Sequence, residues 1–171
     1  MALVLDGNGT MTVGNGDITG LVAGALPSTV IGTGAVLQVV TATYSTEVST
    51  TSSSWTATGL SASITPTSSS SKILILFNTQ VQHLYTTIVP LTIFRGTISG
   101  TNLGGSTYGF GYLYNTGVGL GGTISGNYLD SPATTSAQQY TLAYASTNNS
   151  QIVYANVSGT RSSITLLEIA A

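Results

Sequence analysis

The chain has 171 residues, of which 5% are charged, where a soluble domain averages about 25%. Three Lys and Arg against five Asp and Glu leave a formal charge of −2, too weak a field for a basic nucleic-acid surface or an electrostatic membrane anchor. With no Cys, disulfides, thiolate chemistry and the common structural zinc sites are excluded too.

Hydrophobic residues make up 42% of the chain, enough for a core, and the polar remainder is mostly Ser, Thr and Asn with 21 Gly. Thr, Val, Ile and Tyr suit a pleated, half-buried surface, whereas the strong helix formers Glu and Lys are scarce. All-β is the reading, as a single domain behind an arm.

Residues 1–34 form that expected arm. Short apolar pieces alternate with Asp6-Gly-Asn8-Gly and Gly14-Asn-Gly-Asp17, which read as turns between extended segments. Asp6, Asn8, Thr10 and Asp17 have the spacing of calcium-loop oxygens, but Met11 stands where the turn Gly belongs and the closing Glu is missing, so hairpin turns are preferred. The start carries no basic segment of a secretory signal. Residues 18–46 are uncharged but broken by Gly, Pro27, Ser and Thr, which argues against a membrane span. The sequons at Asn8, Asn148 and Asn156 are expected by chance in so Asn-, Ser- and Thr-rich a chain.

Strand signals then follow at close spacing: 36–44, 55–65, 72–82, 87–95, 107–115, 138–145, 151–157 and 163–170. About eight strands separated by turn residues fit a jelly-roll-like β-sandwich. Pro90 lacks a ladder donor and predicts an edge position or a bulge in its strand. Gly96-Thr-Ile-Ser-Gly100 recurs as Gly122-Thr-Ile-Ser-Gly126, and both copies read as loops flanking an aromatic strand.

Groups for chemistry are few. His83, the lone histidine, ends a strand pattern, and no Gly-x-Ser-x-Gly elbow exists to pair with it; three copies on a trimer axis would be needed to bind a metal. Glu47, Asp130 and Glu168 are scattered, so paired-carboxylate hydrolysis by one chain is not expected. Asp130, before Ser131 and Pro132, reads as turn initiation, and Glu168 as the partner of an Arg. No catalytic residue, metal or cofactor is predicted.

The candidate ligand site is Tyr108-Gly-Phe110-Gly-Tyr112-Leu-Tyr114. In a strand, alternate residues share a face, which places Tyr108, Phe110, Tyr112 and Tyr114 in one row. Such rings either pack inside or stack on sugars. The loops near 96–106 and 115–127 flank them.

Several segments resemble the distal domains of tailed-bacteriophage fibre and related virion structural proteins. They are Ala35-Val-Leu-Gln-Val-Val-Thr-Ala-Thr-Tyr-Ser-Thr46, Thr58-Gly-Leu-Ser-Ala-Ser-Ile-Thr-Pro66 and Ser71-Lys-Ile-Leu-Ile75. Leu91-Thr-Ile-Phe-Arg-Gly96, Tyr128-Leu-Asp-Ser-Pro132 and Ser163-Ile-Thr-Leu-Leu-Glu-Ile169 belong with them, and the arm resembles the start of many phage structural proteins. The resemblance implies a trimeric jelly-roll head of the tumour-necrosis-factor-like kind, located in the virion, with no transferable catalytic residue. A non-enzymatic receptor-binding protein is therefore expected. It would dock on other tail or capsid proteins through 1–34 and bind host surface polysaccharide, with no nucleic-acid partner and no membrane insertion. The alternative is a capsid cement protein that clamps neighbouring capsomers; an envelope-polysaccharide hydrolase ranks third.

Overall fold

Alternation of apolar and polar residues builds the strands of the computed structural model, which describes residues 32–117 and 119–171. The expected arm, apart from 32–34, and with it the turn residues Asp6 to Asp17, lies outside the described residues. The strands are β1 (Val36–Tyr44), β2 (Val48–Thr50), β3 (Thr56–Ile64), β4 (Lys72–His83), β5 (Thr87–Arg95), β6 (Thr101–Asn102), β7 (Gly111–Asn115), β8 (Leu120–Asp130), β9 (Gln138–Tyr144), β10 (Val153–Ala155) and β11 (Ser162–Ile169). One 3-10 turn, Val157–Gly159, precedes β11.

Among the described residues all strand pairing is antiparallel. The first sheet runs β1-β11-β4-β8, with β10 and β2 continuing beyond β11 on the same flank of β4. The second runs β3-β9-β5, with β6 and β7 sharing the far flank of β5. Leaving aside the short β2, β6 and β10, every consecutive pair of strands crosses between sheets except β5 and β7. That is jelly-roll connectivity, in agreement with the fold class expected from the sequence.

The core lies between the sheets. Ile73, Ile75, Phe77 and Val81 of β4 face Val89, Leu91 and Ile93 of β5 and Tyr140, Leu142 and Tyr144 of β9, all of them buried. Each of the aliphatic and Phe side chains contributes about 1.5–3 kcal/mol of transfer free energy. Thr79 sits in the same inward row and is satisfied by Asn156. That buried, left-handed residue (φ 57°) donates from Nδ2 to the Thr46 and Thr58 carbonyls and accepts from Thr79 and Ser162 on Oδ1. With its amide so engaged, Asn156 is closed to glycosylation in the folded chain.

Two expectations are corrected. Residues 120–130 form the full-length strand β8 against β4, so the second Gly-Thr-Ile-Ser-Gly copy is not a loop. Its glycines allow close approach: a Cβ on Gly126 would lie 2.9 Å from the Phe77 ring, and one on Gly122 3.1 Å from Leu113. Pro90 lies in an inner strand, not at an edge. The ladder between β5 and β9 starts one residue later, at Leu91 opposite Tyr144, and the missing N–H falls where that neighbour has run out.

Candidate functional site

Gly109 decides how the aromatic run folds. It sits at φ +60°, and a Cβ there would lie 2.0 Å from the Leu91 carbonyl oxygen. The chain turns between Gly105 and Gly109, each donating its N–H to the other's carbonyl at 3.2 and 3.0 Å. The strand expected over 107–115 therefore begins only at Gly111.

The four rings consequently do not share one face. Phe110 turns inward, edge-on to Phe77 at 5.6 Å and to Tyr128 at 5.5 Å between centroids. Tyr108, Tyr112 and Tyr114 remain 45%, 50% and 49% exposed, and Tyr108 lies over Tyr112 at 4.9 Å with the rings tilted 38°. Beyond Gly111 strict alternation resumes. Tyr112 and Tyr114 sit opposite Pro90 and Ile88 on the outer face, while Leu113, opposite Val89, packs on the core.

Beside Pro90 the outer face of the second sheet opens into a cleft of about 310 Å³. Trp55, Pro90 and Ala145 supply its apolar wall, and Ser53, Ser106, Thr107 and Thr147 its hydroxyls. Among the described residues, no charged side chain lines it. Trp55 is braced edge-on by Phe94 at 6.4 Å. The surrounding loops are tied together: Ser53 N–H donates to Asn149 Oδ1 at 2.7 Å, and Ser146 N–H to the Ser52 carbonyl at 2.8 Å. Thr147 bonds Ile88 through its N–H and accepts the Ile88 N–H on Oγ1. Sequence reasoning missed this cleft because its lining comes from four separate segments that only the sheet brings together. The available signals were the single Trp and a Pro inside a strand.

Two buried carboxylates stand where β4 begins. Asp130 and Glu168 are the partners of Ile73 on its two flanks, and both are buried. Asp130 takes a bidentate pair of bonds from Arg95 Nε (2.8 Å) and Nη2, and a third from the Tyr140 hydroxyl at 2.7 Å. This clasp joins β8 of the first sheet to β5 and β9 of the second. Burial and the bond to Asp130 push the Tyr140 hydroxyl well above its ordinary range. Glu168 does not pair with an Arg, contrary to expectation. It accepts from Gln38 Nε2 at 2.6 Å and from the Thr67 N–H and hydroxyl, each at 2.7 Å. Burial pushes the Glu168 carboxyl up, but those bonds outweigh it and hold the carboxyl below its usual value. Glu47 accepts the Ser158 N–H at 2.8 Å. These carboxylates act as fasteners within the fold.

His83 ends β4 as expected and is fully buried. Its Nδ1 donates to the Tyr85 carbonyl at 2.7 Å, and Nε2 has no partner among the described residues. Those residues contain no group of three or more His, Cys, Asp or Glu able to hold a metal ion.

The outer face of the first sheet carries a continuous aliphatic row. Val39, Leu167, Leu74 and Leu129 lie in register across β1, β11, β4 and β8, with Val39 and Leu129 exposed.

No protein-family model matches this chain, and no curated protein does. Among solved structures, it is similar to the infectious bursal disease virus VP2 subviral particle at 16% identity and a TM-score of 0.38, over 78% of this chain and 38% of that one. A structure of the Gt strain of that virus matches at 14% identity and a TM-score of 0.38, over 80% of this chain and 39% of that one. The chain thus spans less than two-fifths of the length of either, and its jelly-roll connectivity rests on its own strand pairing.

Proposed function

We propose that the chain is a non-enzymatic virion structural protein of the tail-fibre, receptor-binding type, which binds host surface glycan as a trimer and docks on the particle through residues 1–34. The observation that carries this reading is the exposed Tyr108–Tyr112 stack beside an uncharged, hydroxyl-rimmed cleft. Aromatic faces stack on the apolar faces of sugar rings, and hydroxyl tips bond their hydroxyls. The buried, fully engaged Asp130 and Glu168 fit a binding role better than hydrolysis. Replacing Tyr112 and Tyr114 together by Ala should abolish adsorption of the particle to its host; unchanged adsorption sinks the glycan site. Sedimentation of the purified protein should give a trimer, and a stable monomer sinks that part.

A second reading, capsid cement, is favoured by the aliphatic row on the first sheet, an apolar face suited to lie against a capsomer. Particles lacking the protein would then adsorb normally but lose heat resistance.

A further inference from the structure

We infer that the cleft beside Tyr108 and Tyr112 holds a single uncharged sugar residue, stacked on Trp55 and bonded by the hydroxyls of Ser106 and Thr107. This rests on the glycan reading above and narrows it to a ligand class and a pocket.

Size comes first. A volume of about 310 Å³ is at the small end for ligand pockets, which run from about 300 to 1,000 Å³. It suits one ring-sized group, with the next sugars of a chain running over the neighbouring Tyr108–Tyr112 stack.

Charge decides the class. Arg95 is bound to Asp130, Lys72 lies opposite Ile169 at the start of β4, and neither they nor Arg161 line the cleft. A carboxylate, sulfate or phosphate entering would shed its water with no cation to meet it. A neutral sugar asks for what is present: an aromatic wall, an apolar Pro90, and hydroxyls that both donate and accept. Thr147 Oγ1 accepts the Ile88 N–H and still has its own proton to give. The cross-linked loops keep this arrangement in place before any ligand arrives, which lowers the ordering cost of binding.

Trp55 is the chain's only tryptophan, so indole emission reports on this cleft alone. The full-length protein is titrated with neutral trisaccharides ending in glucose, galactose or N-acetylglucosamine, and with acidic ones ending in sialic acid or glucuronate. At least one neutral probe should shift Trp55 emission and bind more tightly than the acidic set. Ser106→Phe, which fills the cleft from an exposed loop, should abolish that binding. Thr107→Val should weaken it about tenfold, with the thermal midpoint of both variants unchanged. Tighter binding of acidic probes overturns the inference and leaves the glycan reading standing. So does neutral binding that leaves Trp55 emission unmoved and survives Ser106→Phe. If no probe of either class binds, the glycan reading falls and this inference with it.

Discussion

Where β4 begins, Asp130 and Glu168 point inward on either side of Ile73, with 2% and 0% of their surface exposed. Where β4 finishes, Tyr85, Tyr112 and Tyr114 stand outward with about half of theirs in water. Both carboxylates at the first end meet partners within the chain, since a buried charge without a partner is costly. The three tyrosine rings at the second end stand in water and are open to exchange it for a ligand. The comparison therefore separates residues that hold the fold from residues offered to something else, in a chain where charge is too scarce to mark either.

Substitutions test that separation, and the largest effect on stability belongs to the clasp. Asp130→Ala leaves the Arg95 guanidinium and the Tyr140 hydroxyl without their acceptor, which should cost about 4 kcal/mol in urea unfolding. Glycan binding by the remaining folded protein should be unaffected.

The aromatic run sharpens the contrast within one stretch of chain. Phe110→Ala should cost about 3 kcal/mol, because its ring packs on Phe77 and Tyr128. Equal costs for Phe110→Ala and Tyr112→Ala would mean that the rings share one face after all.

Glu168→Gln should cost about 2 kcal/mol at neutral pH, the worth of hydrogen bonds to a charged group, and should also alter the pH profile. The native carboxyl lies below its ordinary value, so the folded state binds that proton less readily than the unfolded chain. Its contribution is complete above the unfolded value, about pH 4.3, and is lost as acid titrates down through the native one. Unfolding midpoints of the wild type should therefore fall on acidification through that window, and those of Glu168→Gln should fall less steeply.

The smallest stability effect, under about 1 kcal/mol, is expected for Tyr112→Ala with Tyr114→Ala, the pair whose loss should abolish adsorption. A large loss of stability there would place these rings in the fold rather than at its surface.

Local chemistry announced most of the strands. Val36–Tyr44 and Thr87–Arg95 form over the residues their β-branched composition marks, and β4 runs one residue further than expected, to His83. The repeated Gly-Thr-Ile-Ser-Gly shows where that reasoning stops. Its first copy is a loop, in which a Cβ on Gly100 would lie 2.1 Å from the Arg95 carbonyl oxygen; its second is mid-strand under the Phe77 ring. Identical residues with weak preferences take the structure their surroundings impose. Partner choice was equally hidden, because Arg95 and Asp130 are joined only by the crossing from β5 to β8. Of the candidate site, the aromatic residues were visible in the sequence but their division was not. Alternation assumed an unbroken strand, and Gly109 interrupts it.

Composition and periodicity by themselves determined that this chain is all-β, nearly uncharged and organised as a sandwich, because side-chain shape and apolar period act over a few neighbouring residues. The tertiary structure alone decided which carboxylate meets which donor, which rings face water, and that Trp55, Pro90 and Thr107 border one cleft. Those outcomes depend on strand register and on crossings between sheets, which bring together residues that no local preference relates.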